Sequence, residues 1–148
     1  MQYYIKIFLI VLILCLNTNV YAQASSDMVK FSPDYIRRLR VCGPHQESIF
    51  YNIDADETTY HIKATETIIG IRDGKCRTKT VLVLKDFDVT AGKIECAYNE
   101  QQRKTIADKI TEAQNNPKKF PELQKLLNYY RKQRPDVCKP TNYFAEED

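Results

Sequence analysis

The stretch "IIGIRDGKC", Ile68 to Cys76, decides how this chain folds. Apolar and β-branched runs lie on both sides of Asp73-Gly74. A two-residue Asp-Gly loop between such runs predicts a type I′ turn, which needs positive φ at both central positions. The turn fixes the register of the strands it joins, so Ile71 faces Cys76 and Arg72 faces Lys75. Upstream, Thr59 to Ile71 alternates over part of its length and sets Tyr60, Ile62 and Ala64 on one side. Downstream, the return strand runs from Lys75 to Leu84. "DFDVTAG" reads as a loop and Lys93 to Tyr98 as a further strand holding Cys96. Glu47 to Ile53 reads as a first strand ahead of a "DADE" turn. The outcome expected is an antiparallel meander of three to four strands.

Helical signals bracket the meander. Ser32-Pro33-Asp34 starts a helix: Ser as N-cap, Pro in the first turn, Asp at the positive end of the dipole. "YIRRLRV" continues it, with Tyr35, Ile36 and Leu39 near one face. Gly43-Pro44 stops it and leaves Cys42 at its end. After the meander, Asn99 caps a second helix with Gln102 at the capping-box position. Ile106, Ala107, Ile110 and Ala113 recur at helical spacing and form its buried face. "NNP", Asn115 to Pro117, ends it. A third helix starts near Pro121, carries Leu123, Leu126, Leu127 and Tyr130 as its apolar stripe, and is closed by Pro135. The fold class expected is α+β, with a short N-terminal helix, the meander, two C-terminal helices on one of its faces, and two disulfides.

The hairpin also carries a resemblance. "IIGIRDGKC", then "KIEC" and a helix, all after an early Cys-x-Pro at Cys42 to Pro44, resembles a pattern in small, mostly uncharacterised secreted or periplasmic proteins of Gram-negative bacteria. The likeness runs from Cys42 to about Ala107; the last helix and Cys138 lie outside it. It implies an exported α+β module with a disulfide-bearing hairpin and brings over no catalytic residue.

The N-terminus has the grammar of a secretory leader. Lys6 supplies a positive start, Ile7 to Leu16 is an unbroken apolar run, and Val20-Tyr21-Ala22 suits a cleavage site. The run is shorter than the ~20 residues a spanning helix needs. The organisation expected is a signal peptide over residues 1–22, a flexible segment over 23–30, one disulfide-stabilised domain over 31–140 and an acidic tail over 141–148. No transmembrane segment is expected after cleavage, and the destination is periplasmic or secreted.

With Cys15 in the leader, Cys42, Cys76, Cys96 and Cys138 remain. An even number in an exported chain predicts two disulfides. Three connectivities are open. The favoured one joins Cys42 to Cys76 and Cys96 to Cys138, tying the first helix to the sheet and the chain's end to the last strand. No pair has the spacing of a zinc knuckle.

The chemistry-bearing residues are few. Cys42-Gly43-Pro44-His45 has the outline of a thioredoxin-type loop with His in the second cysteine's place, and sets a thiol near an imidazole. A thioredoxin-type cysteine, however, follows a strand and opens a helix. Cys42 ends a helix, so it reads as half of a disulfide and His45 as a loop residue. Ser48 near His45 lacks a readable orienting group or oxyanion hole. His45 and His61 have no metal-ligand spacing. Asp54, Asp56 and Glu57 open like a calcium loop but lack the Gly and the distal Glu. No cofactor, metal or catalytic residue is expected.

Charge excludes little else. Without Lys6 the chain holds 21 Lys and Arg against 19 Asp and Glu, too even for a nucleic-acid stripe. Arg37, Arg38 and Arg40 cluster on the first helix. Arg131, Lys132 and Arg134 lie on the last, beside Tyr129 and Tyr130, and read as a solvated helical end rather than a base-stacking site. The function expected is a small exported, non-enzymatic interaction module that binds a protein or envelope component. The alternatives are a component of an envelope or secretion assembly, and a small periplasmic enzyme or thiol-redox protein using Cys42 and His45.

Overall fold

The computed structural model describes residues 30–55 and 58–142. The expected signal peptide, nearly all of the segment that follows it, Asp56 and Glu57 of the "DADE" turn, and the acidic end of the tail lie outside the described residues. In chain order the elements are α1 (Pro33–Val41), β1 (His45–Ala55), β2 (Thr58–Arg72), β3 (Lys75–Leu84), β4 (Val89–Tyr98), α2 (Glu100–Asn115), α3 (Phe120–Gln133) and β5 (Cys138–Asn142). The strands form one antiparallel sheet in sequence order, β1-β2-β3-β4-β5. The architecture is α+β, as the periodicities predict.

The hairpin turn has the expected geometry. Asp73 and Gly74 take φ of 53° and 71°, and Ile71 pairs with Cys76 and Arg72 with Lys75. Two residues further back the register shifts between Ile68 and Gly70, so Ile69 is an extra residue on β2. Gly70 carries the distortion at φ 118°, a conformation open to glycine and costly for other residues.

The register puts Ile62, Ala64, Glu66 and Ile68 of β2 on one face, with Cys76, Thr78 and Thr80 of β3 and Ile94, Cys96 and Tyr98 of β4 beside them. The three helices cover this face. Tyr35 and Leu39 of α1, Ile106, Ala107, Ile110 and Ala113 of α2, and Leu123 and Tyr130 of α3 bury against it. Each fully buried aliphatic side chain contributes ~1.5–3 kcal/mol, so this layer is the main apolar term of the fold. The sheet runs on past the helices, where Ile62, Leu84 and Ala91 make a smaller cluster under Tyr51, Tyr60 and Leu82. The opposite face, with Ser48, Phe50, Lys63, Thr65, Thr67 and Lys79, carries no helix.

Caps explain the helix boundaries. The Ser32 hydroxyl accepts from the Tyr35 N–H at 3.0 Å. Asn99 and Gln102 form a reciprocal capping box, with bonds of 2.8 and 2.9 Å. A short 3-10 turn, Pro117–Lys119, leads into α3, which starts at Phe120, next to Pro121 as expected.

The disulfides join Cys42 to Cys76 and Cys96 to Cys138, the favoured pairing. Cys96 and Cys138 are also direct partners across β4 and β5. Four details differ from the expectations. The sheet has five strands because the chain returns after α3 and adds β5, which includes Thr141 and Asn142. Gly92 makes room for this strand, since a Cβ there would meet the Thr141 carbonyl oxygen at 3.2 Å. β4 starts at Val89, so most of "DFDVTAG" is strand. His45 opens β1 and is not in a loop. Lastly, the left-handed residue that ends α1 is Cys42 at φ 56°, not Gly43. Its N–H reaches the Leu39 carbonyl, and the Gly43 N–H reaches that of Arg38 at 2.9 Å. At Gly43 the space is close: the Arg38 side chain lies 3.1 Å from where a Cβ would be, so a larger residue would have to displace it.

Two stability outcomes follow from this framework. Replacing Cys96 and Cys138 together by Ala opens a closure spanning 42 residues, and denaturant unfolding should show a loss of ~2–4 kcal/mol. Gly70→Ala should cost ~1–3 kcal/mol in the same experiment, because the strain lies in φ and not in space.

Candidate functional site

The first turn of α1 is fastened to β1. Both the N–H and the hydroxyl of Ser32 donate to the Glu47 carboxylate, the N–H at 3.1 Å. His45, on the same face of β1, lies between two carboxylates: Nδ1 is 3.4 Å from Asp34 and Nε2 is 3.5 Å from Glu47. The Tyr35 ring meets the imidazole edge-on at 6.0 Å. A serine, a histidine and two acids therefore meet at one corner. Their order is not that of a nucleophile relay, because the Ser32 hydroxyl donates to the carboxylate and not to the imidazole. This corner holds α1 on the sheet.

Ser48 does not join it. It is three residues along the strand and on the opposite face, where its hydroxyl is 3.4 Å from that of Thr65. The Cys42 thiol is consumed in the bond to Cys76. Cys42 therefore offers no free thiol for His45 to activate.

Behind the corner, under the helices, lies a small cavity of about 40 Å³ lined by Tyr35, Glu66, Thr78, Thr80, Tyr98 and Arg131 among others. That volume suits ordered water and is far below the ~300 Å³ of a small-molecule site. The Thr80 hydroxyl donates to Glu66 at 2.7 Å. Burial pushes the Glu66 carboxyl above its ordinary range, against the pull of that bond and of Arg131. Part of Glu66 stays within reach of solvent, so its desolvation is incomplete. Burial also raises the Tyr51 phenol to about 12 and that of Tyr98 further. The Tyr98 hydroxyl donates to the Cys138 sulfur at 3.5 Å. The cavity lining mixes these polar groups with apolar ones such as Leu39, Ile94, Ile106 and Ile110, and includes Cys96 of the second disulfide.

His61 is occupied elsewhere. Its Nδ1 and its backbone N–H are 2.7 and 2.8 Å from the Asp86 carboxylate, which ties the β3–β4 turn to β2. The two bonds from His61 hold the Asp86 carboxyl below the usual carboxylate range. Among the described residues no three His, Cys, Asp or Glu side chains are grouped to hold a metal ion, and no helix is long and apolar enough to cross a membrane. The arginines of α1 are largely paired: Arg37 with Asp34, and Arg40 with Asp108 of α2. Arg131 lines the cavity, whereas Arg134 binds Asp136 through two nitrogens at 2.8 and 2.6 Å. The basic residues of α3 therefore do not form one surface. Arg103 is buried, and its Nη1 has no hydrogen-bond partner among the described residues.

Two of the three most exposed apolar side chains lie at one end of the sheet, and the third, Phe50, lies on β1. Val41 is 64 % exposed at the end of α1, next to Cys42. The disulfide sets the Cys42 Cα 5.6 Å from that of Cys76, whose partner across the hairpin is Ile71, 63 % exposed. Pro44 lies over Gly70, with its Cγ 3.8 Å from where a Cβ would stand. Arg72 and Lys75 follow at the tip, exposed and without an ion pair among the described residues. The sequence held a signal for this end in its Ile-Arg-Asp-Gly-Lys tip, which reads first as turn chemistry. It held one for Glu66 too, through its parity with Ile62, Ala64 and Ile68.

No protein-family model matches the chain, and neither a curated protein nor a solved structure does.

The Glu66 carboxyl binds its proton more readily folded than unfolded. Its contribution therefore favours folding at low pH and is lost as pH rises from the unfolded value through the raised folded one. Glu66→Gln keeps an acceptor for Thr80 and removes this loss. Thermal unfolding should show the variant more stable than the parent at pH 7 to 8, with the difference closing toward pH 4.

Proposed function

We propose that the chain is a small exported, non-enzymatic interaction module, and that it binds an acidic protein of the cell envelope through the hairpin end of its sheet. The observation that carries this reading is the set of exposed apolar side chains on the two arms of the Cys42–Cys76 disulfide, Val41 and Ile71, beside the exposed cations Arg72 and Lys75. Apolar groups on a rigid frame desolvate on docking at little conformational cost, which is what binding hot spots need. The cations favour a partner with carboxylates around an apolar centre and speed the encounter. Two disulfides suit an oxidising compartment. The leader-like N-terminus and the likeness of the hairpin to those of small secreted bacterial proteins support the same setting.

The test uses the disulfide-bonded chain as bait against envelope proteins, with binding of the captured acidic protein then measured in purified form. Ile71→Asp combined with Arg72→Glu should weaken that binding by ~30-fold or more, as loss of a hot spot does. Phe87→Asp, an exposed apolar site on the β3–β4 turn, should leave it unchanged. Equal binding by both variants sinks the hairpin end as the docking site. Rapid alkylation of Cys42 in the native exported protein would instead restore the thiol reading.

A further inference from the structure

The two edges of the sheet are not alike. β5 has five residues and carries Lys139 and Pro140, the features that blunt an edge. β1 has eleven residues, HQESIFYNIDA, without Lys, Arg or Pro. Among the described residues it pairs with β2 alone, which leaves its outer backbone groups to another strand. Glu47 is a poor guard of this edge, because its carboxylate is taken by Ser32 and His45.

We propose that β1 is a self-association edge, and that its partner is β1 of a second copy of this chain, antiparallel about a two-fold axis at Phe50. Phe50 is the midpoint of His45–Ala55 and is 64 % exposed on the face without helices, opposite Lys63 of β2. Centring on it is the one antiparallel self-register that pairs all eleven residues. In that register Phe50 meets its own copy, Ile49 faces Tyr51 and Ser48 faces Asn52, so around the axis apolar groups meet apolar and polar meet polar, while further out Glu47 falls opposite Ile53 and His45 opposite Ala55. Like charges are therefore not set against each other. Parity is kept, so the helix-free faces of both copies become one continuous surface. Such an isologous pairing is the closed form that homodimers most often take.

The expected strength follows from size. Eleven residues span ~37 Å, and a sheet edge ~10 Å thick gives about 700 Å² in total, below the ~1,200 Å² of standard stable interfaces. The dimer is therefore weak and reversible.

Sedimentation velocity of the exported chain with both disulfides formed tests this. The dimer fraction should rise with concentration between about 10 µM and 1 mM. Phe50→Lys, which puts two cations across the axis, should raise the dissociation constant at least ~tenfold, whereas Phe87→Lys should not change it. A Phe50→Cys variant, read by non-reducing mass spectrometry, should cross-link to its own copy, since directly opposed residues in antiparallel strands have disulfide-compatible Cα separations. Phe87→Cys should not. A chain that stays monomeric at millimolar concentration, a dimer indifferent to Phe50→Lys, or equal cross-linking by the two cysteine variants overturns the proposal. The first outcome would leave the edge to an extended segment of another protein. Because Phe50 lies apart from Ile71 and Arg72, this test can fail without touching the hairpin-end reading.

Discussion

The positive φ of Asp73 and Gly74 is the constraint on which the rest of the structure depends. A type I′ turn admits one register, and in a sheet with one covered face a slip of one residue would turn every side chain over. With Ile71 set against Cys76, the parity of β3 is fixed, and Cys76, Thr78 and Thr80 look toward the helices. β4 inherits that parity, which points Cys96 and Tyr98 the same way. Both disulfides, the polar cavity and the apolar end of the hairpin follow from one two-residue loop.

The helical layer is fixed on this frame at two separated places. Cys42–Cys76 and the Ser32–Glu47 bonds hold the two ends of α1. Cys96–Cys138 anchors the strand that follows α3, closing the excursion that contains α2 and α3. Between the anchors the layer is largely apolar, with Glu66, Thr78, Thr80, Arg103 and Arg131 as its polar members. The Thr80–Glu66 bond lies within the sheet, and the electrostatic pull of Arg131 on Glu66 links α3 to it across the layer.

Much of this was legible in the sequence wherever a local rule governs. The Asp-Gly turn, the Ser32 cap, the Asn99–Gln102 box and the stripes Ile106 to Ala113 and Leu123 to Tyr130 are set by neighbours in the chain. The features that were not legible depend on distant partners. β5 is masked by Lys139 and Pro140, which argue against a central strand and are tolerated because this strand is an edge. Cys42 takes the left-handed cap that Gly43 next to it advertises, and it is held there by a bond to a residue 34 positions away. Glu66 shares the inward parity of its neighbours, but its acidity reads as surface until the helices and Arg131 are in place. The hairpin end looked like turn chemistry because exposure is not a local property.

The order of the disulfides has a consequence for how the chain reaches this state. The described domain bonds its first cysteine to its second and its third to its fourth, although Cys76 and Cys96 are the two that lie closest in sequence. A chain that enters an oxidising compartment N-terminus first exposes Cys42 and Cys76 as a pair before Cys96 arrives, and then Cys96 waits only for Cys138. The bond that is kinetically nearest at each stage is also the native one. In a chain oxidised as it emerges these pairings need no rearrangement, whereas refolding of the reduced domain with its four cysteines must select one of three pairings by exchange.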